Sequence, residues 1–189
     1  AYTAKAVGSE VVCVPLKKEE DFLPGEELVL ALQEDAELLF LANPNNPTGK
    51  LMKPAYLENV LEVCKEKKIY VVLDECFIEF CEKENSIVQR LSTYRNLLIV
   101  RAFTKIYAIP GVRLGYLMCS DKELLQKIRG QLPEWNLSVF AEAAGIACLQ
   151  QQEYLKKTVE YVAAERKSVR LTSITRYGAG LLARMESMA

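Results

Sequence analysis

Short apolar runs rich in β-branched residues recur along the chain, and helical patterns separate most of them. They fall at Glu10–Leu16, Glu37–Ala42, Ile69–Leu73, Asn96–Ala102 and Gly115–Cys119. Several are apolar at consecutive positions instead of alternating, as strands buried on both faces are. Between the second and third runs, Leu57, Val60, Leu61 and Cys64 make an i, i+3, i+4, i+7 stripe behind Pro54, so a helix is expected there. A capping-box pattern at Ser120-Asp121-Lys122-Glu123 opens another helix, and two more are expected around 139–150 and 153–169. Strand–helix–strand units join parallel strands, so the pattern predicts an α/β fold with a mainly parallel sheet covered by helices. Such sheets bind ligands at the carboxyl ends of their strands.

Composition narrows the chemistry available at those ends. The 189 residues include no histidine, which excludes from this chain a Ser-His-Asp triad, a Cys-His pair and His-containing zinc sites. Acid–base work falls to Lys, Asp, Glu, Tyr or Cys. Lys and Arg number 24 against 25 Asp and Glu, a net charge of −1 that leaves no basic excess for nucleic acid. The six cysteines form no C-x-x-C pair, and four lie in strongly apolar runs. They are expected to be free, buried thiols of a cytoplasmic protein, with neither a metal site nor a disulfide framework. No apolar run approaches a membrane span and the N-terminus does not read as a signal peptide. The chain opens on Ala1 and ends on Ala189 without a cap, so both ends are expected to be cuts through something larger.

Chemistry-bearing residues then collect behind the central runs. Asn43-Pro44-Asn45-Asn46-Pro47-Thr48-Gly49 follows the second run and is stiffened by two prolines; a plain turn and a rigid support for Asn46 are both open readings. Asp74-Glu75 follows the third, where Asp74 is poorly solvated unless it has a cationic partner; a helix cap or exposed strand end is the alternative. After the fourth run, Lys105 stands among Phe103, Ile106 and Tyr107, a setting expected to lower its pKa and make the amine nucleophilic. Arg113 lies between apolar neighbours and needs an anion. An amine, a carboxylate, an amide and a guanidinium on adjacent loops of one sheet match the needs of pyridoxal phosphate.

Three stretches carry a family resemblance. They are Asn43–Gly49, Asp74-Glu75-Cys76-Phe77-Ile78-Glu79-Phe80, and Thr104-Lys105-Ile106-Tyr107-Ala108-Ile109-Pro110-Gly111-Val112-Arg113-Leu114-Gly115-Tyr116. From about Ala1 to Lys167 the chain resembles the large domain of the class I/II aminotransferases, the fold-type-I pyridoxal-phosphate enzymes. Within these it is most similar to the branch of histidinol-phosphate aminotransferase and threonine-phosphate decarboxylase. The resemblance implies a three-layer α/β/α, mainly parallel sheet, incomplete at both ends. Residues 1–165 would be a partial cofactor-binding large domain, and 166–189 a linker helix or a remnant of the small C-terminal domain.

It also implies roles. Lys105 would carry pyridoxal 5'-phosphate as a Schiff base and later shuttle a proton at Cα. Asp74 would pair with the pyridine nitrogen, Asn46 would contact the ring oxygen, and Thr104 and Arg113 would contact the phosphate. Phe77 stands where many family members place a tyrosine that donates to the ring oxygen, which leaves Asn46 as the main donor there. Ala102 replaces a Ser or Thr phosphate ligand. The family's phosphate-binding turn and ring-stacking aromatic would precede Ala1, and Tyr2 is not their equivalent. Arg170, Arg176 and Arg184 read as solvated charges and not as the family's substrate-carboxylate clamp.

The function implied is amino-group transfer between an amino acid and a 2-oxo acid. Decarboxylation of threonine phosphate, a lyase reaction, is the alternative, toward which Phe77, Tyr107–Gly111 and Trp135–Ser138 lean. A folded but inactive piece of such an enzyme is a further alternative. A nucleotide-binding domain is weaker still, since neither G-x-G-x-x-G nor a Walker pattern occurs. The expected partners are a small amino acid or oxo acid substrate and, in the full-length enzyme, a second copy. The missing first strands are expected to expose apolar edge surface for that copy to cover.

Overall fold

A computed structural model describes residues 2–32 and 36–177, with the side chains of residues 4–32 and 36–168. Arg184 therefore lies outside the described residues, as do the side chains of Arg170 and Arg176. The sheet has four strands in the order β1 (Leu38–Ala42), β2 (Tyr70–Asp74), β3 (Leu97–Ala102) and β4 (Gly115–Met118). The first three are parallel and β4 returns antiparallel to β3.

The helices are α1 (Tyr2–Ala6), α2 (Glu26–Ala31), α3 (Pro54–Glu66), α4 (Phe103–Ile106), α5 (Lys122–Gly130), α6 (Val139–Leu149) and α7 (Gln152–Tyr177). The predicted stripe on α3 is its buried face, since Leu57, Val60, Leu61 and Cys64 are all enclosed. They pack with Leu28 and Leu32 from the α2 region against Val71, Leu73, Leu97 and Ile99 of the sheet. Helix α5 starts where the capping box predicted, but Asp121 is its cap: the carboxylate accepts from the N–H groups of Glu123 and Leu124 at 3.0 Å.

Three expectations are corrected. Glu10–Leu16 forms no strand; Val12 and Cys13 are exposed there, and without a neighbouring strand the β-branched run has no ladder to join. Burial on both faces holds for β3, where Leu97, Leu98 and Ile99 are enclosed, but not for β1, whose Leu38 and Phe40 are exposed. Of the six cysteines only Cys64 is buried. Leu38, Phe40 and Tyr70 share the uncovered face of the sheet, because Leu38 pairs with Tyr70 and Phe40 with Val72. Leu38, Phe40 and Tyr70 thus form an exposed apolar patch on that face.

Candidate active site

Strand parity sorts the end of β2 into two directions. Side chains alternate along a strand, so Val71, Leu73 and Glu75 turn to the core while Tyr70, Val72 and Asp74 turn to the open face. In register, Val71 faces Leu97 and Leu73 faces Ile99, so the next rung on the core side joins Glu75 to Arg101. That rung is an ion pair at 2.7 Å, with the Glu75 side chain wholly buried.

The Glu75 carboxylate is fully partnered. One oxygen accepts from Nε and Nη2 of Arg101 at 3.0 and 2.7 Å. The other accepts from the backbone N–H of Ile87 at 3.2 Å. The Ser86 hydroxyl reaches the carboxylate, accepts from Arg101 Nη2 at 2.7 Å and accepts from the Val88 N–H at 3.1 Å. Burial disfavours the Arg101 charge, but the hydrogen bond and charge of Glu75 outweigh it and hold the guanidinium's pKa above its ordinary value.

The poorly solvated setting foreseen for Asp74 therefore belongs to Glu75. Asp74 is exposed, and its Oδ1 accepts from the Cys76 N–H at 2.9 Å. Among the described residues it has no ion pair. Burial, then the Asp74 carboxylate beside it, pushes the Cys76 thiol up to about 12. Burial likewise raises Glu79, whose Oε2 finds no hydrogen-bond partner among the described residues.

Lys105 sits on the single turn of α4, directly behind β3. It is exposed and not embedded, because the neighbouring rings pair with one another instead: Phe103 stacks on Tyr107 at 5.4 Å and meets Tyr116 edge-on at 5.7 Å. Its Nζ donates to the Thr104 hydroxyl at 3.3 Å and lies 5.8 Å from the centre of the Phe77 ring. The structure thus gathers Asp74, Phe77, Thr104 and Lys105 at the ends of two adjacent strands. Arg113 is exposed, its backbone is left-handed (φ 58°), and its Nη1 donates to the Pro110 carbonyl at 3.0 Å.

Asn46 is exposed on the loop behind β1. That loop is pinned by its neighbours. Asn45 Nδ2 donates to Thr48 Oγ1 at 2.7 Å, and Gly49, at φ 69°, donates its N–H to the Asn45 carbonyl. The buried Asn43 is the anchor, since its Oδ1 accepts from the Met52 N–H at 2.7 Å and its own N–H donates to the Asp74 carbonyl at 2.9 Å. Glu75, Arg101, Ser86 and Asn43 were not singled out from the sequence. Strand parity from Val71 onward, with an arginine at the end of the next run, was the signal available for the first two.

A shallow cavity of about 240 Å³ lies farther along, lined by Tyr107, Ala147, Cys148, Gln151 and Tyr154. Among the described residues, no helix is long and apolar enough to cross a membrane, and no three Cys, Asp or Glu side chains gather as metal ligands.

With this geometry in place, known proteins offer a comparison. The family model described as aminotransferase class I and II matches residues 2–173. A threonine-phosphate decarboxylase of Salmonella typhimurium is 34% identical over 158 residues, covering 84% of this chain and 43% of the relative. A histidinol-phosphate aminotransferase of Clostridium kluyveri is 38% identical over 133 residues, 70% of this chain and 36% of the relative. The chain thus spans less than half the length of these curated relatives. Among solved structures, the histidinol-phosphate aminotransferase of Clostridium acetobutylicum superposes with a TM-score of 0.83 at 35% identity, covering 92% of this chain and 52% of that one. The Sinorhizobium meliloti enzyme of the same name, solved in complex with pyridoxal-5'-phosphate, gives a TM-score of 0.79 at 29% identity, with 92% and 46% covered.

Proposed function

The chain belongs to the aminotransferase class I and II family, and from that premise we propose that the protein containing it transfers an amino group between an amino acid and a 2-oxo acid, using pyridoxal 5'-phosphate held on Lys105. One observation carries the reading. The Lys105 amine is exposed at the end of β3, bonded only to Thr104 among the described residues, while Asp74 stands exposed and without an ion pair at the end of the adjacent strand.

The residues present fit the cofactor by the chemistry of their donors. A primary amine, a free carboxylate, a hydroxyl and an amide converge on neighbouring strand ends, and each answers a different part of the molecule. When bound, pyridoxal phosphate supplies an electron-withdrawing ring that stabilises charge at the carbon bearing the amino group. Lys105 Nζ would hold the aldehyde carbon and, once displaced by substrate, move a proton at the substrate's Cα. Asp74 would keep a proton on the ring nitrogen, and Asn46 would donate to the ring oxygen. The Thr104 hydroxyl and the Arg113 guanidinium would hold the phosphate, with Arg113 first giving up its bond to Pro110. Phe77 would present a ring face and no hydroxyl to the site.

Residues 1–165 are proposed as part of a cofactor-binding large domain, with 166–189 leading out of it. A second copy is proposed to cover the exposed apolar side chains of α6 and of β1, in the cytoplasm, where free thiols persist. Threonine-phosphate decarboxylation is a second reading, supported by Phe77 and by the decarboxylase similarity.

The test is chemical. Incubation with pyridoxal phosphate, reduction with borohydride and peptide mapping should place a stable adduct on Lys105, and Lys105→Ala should abolish it. An adduct spread over surface lysines, with none on Lys105, would overturn the assignment. With the full-length protein, a keto acid product supports transamination, and carbon dioxide release supports the second reading.

A further inference from the structure

We propose that Glu75 and Arg101 are positioning residues: their buried ion pair, closed by Ser86, sets where the Asp74 carboxylate and the Lys105 amine stand. The inference rests on the roles proposed above for Asp74 and Lys105 and adds to them residues that would touch neither cofactor nor substrate.

Glu75 follows Asp74 directly and faces the opposite side of the sheet, so locking one side chain fixes the rotation of the strand end and hence the direction of the other. Arg101 precedes Lys105 by one strand residue and a single helical turn, and that turn begins at Phe103, whose N–H donates to the Leu114 carbonyl at 3.1 Å. The guanidinium meets Glu75 with two nitrogens, a directional contact that a point charge does not give.

The pair therefore ties together the two segments that carry the proposed acid and amine, on the core side of the sheet, with Glu75 wholly buried. Ser86 and Ile87 add a third segment, because both bond the same carboxylate. A core of this kind needs no charge for stability alone: a buried ion pair is often replaced by apolar or neutral groups without loss. What the pair supplies instead is direction. Small displacements at a reacting group cost rate steeply, about a hundredfold for an ångström.

The test uses the neutral pair Glu75→Gln/Arg101→Met, in which Gln can still accept from the Ile87 N–H. Ser86→Ala serves beside it, keeping both charges and removing only the bridging hydroxyl. Without cofactor, hydrogen exchange should quicken at the amides of Glu75, Cys76 and Phe103 and stay unchanged at Val71, in the strand that leads into Glu75, with a melting temperature close to that of the parent chain. With pyridoxal phosphate and borohydride, the adduct at Lys105 should fall by about tenfold or more while labelling of the exposed Lys127 is unchanged. Exchange that rises evenly along the chain, or full labelling of Lys105 in both variants, would overturn the proposal. If the parent chain gives no Lys105 adduct but the local exchange change occurs, the cofactor reading fails and the tie between the strand ends stands.

Discussion

The ends of β2 and β3 and the stretch from Gln131 to Leu149 handle charge and apolar surface in opposite ways. At the strand ends a glutamate with no exposed surface is compensated entirely from within the chain, by an arginine, a hydroxyl and a backbone N–H. In the second region Trp135 and Phe140 are 91% and 86% exposed, and α6 buries only Ala141 and Gly145. Helix α6 is apolar nearly all round, with Glu142 its only charge, a composition that belongs in an interior. Small-residue packing seats it on the rest of the chain: a Cβ on Gly145 would come within 2.7 Å of Leu114. The strand ends thus hold themselves together, whereas α6 leaves its apolar side chains exposed.

That contrast can be broken from either side. The largest effect is expected at the strand ends, where Arg101→Ala leaves the Glu75 carboxylate buried without its counter-charge and should cost about 3–5 kcal/mol in urea denaturation. A loss below about 1 kcal/mol, as for an exposed pair, would mean that Glu75 is solvated or otherwise compensated. A smaller effect is expected at the start of α6. There the Ser138 hydroxyl accepts from the Ala141 N–H at 3.1 Å, and Ser138→Ala should cost about 1 kcal/mol by the same measurement. The smallest is expected on the exposed face of α6. Phe140→Ser should change the stability of the chain by no more than about 0.5 kcal/mol, yet reduce self-association in sedimentation if a second copy covers this face.

The same contrast explains what could be read from the residues alone. The stripe Leu57, Val60, Leu61 and Cys64 and the apolar runs at 38–42, 70–73 and 97–102 declare their elements because periodicity and burial agree there. Glu10–Leu16 has the same local character but no strand to pair with, and pairing is a long-range property that a run cannot advertise. Of the candidate site, Lys105, Asp74, Phe77 and Thr104 were picked out from the sequence, and the structure sets Lys105 by Thr104 and Phe77, with Asp74 at the end of the adjacent strand. Their surroundings were not. Lys105 was expected among Phe103 and Tyr107, but those rings stack on each other and leave the amine outside. A charge behind four apolar residues was assigned to Asp74, when one further step of strand alternation turns Glu75, not Asp74, to the core. Arg101, four residues before Lys105, was passed over because an arginine at the end of a run reads as a solvated end until its neighbour across the sheet is known.

On the function proposed above, adjacent strand ends aim an amine and a carboxylate at one ligand. A crystal structure of the borohydride-reduced adduct tests it most directly. Density continuous with Lys105 Nζ is expected, with the pyridine nitrogen within hydrogen-bonding distance of the Asp74 carboxylate and the phosphate beside Thr104. An adduct on Lys105 whose ring lies in solvent, away from Asp74, would contradict it.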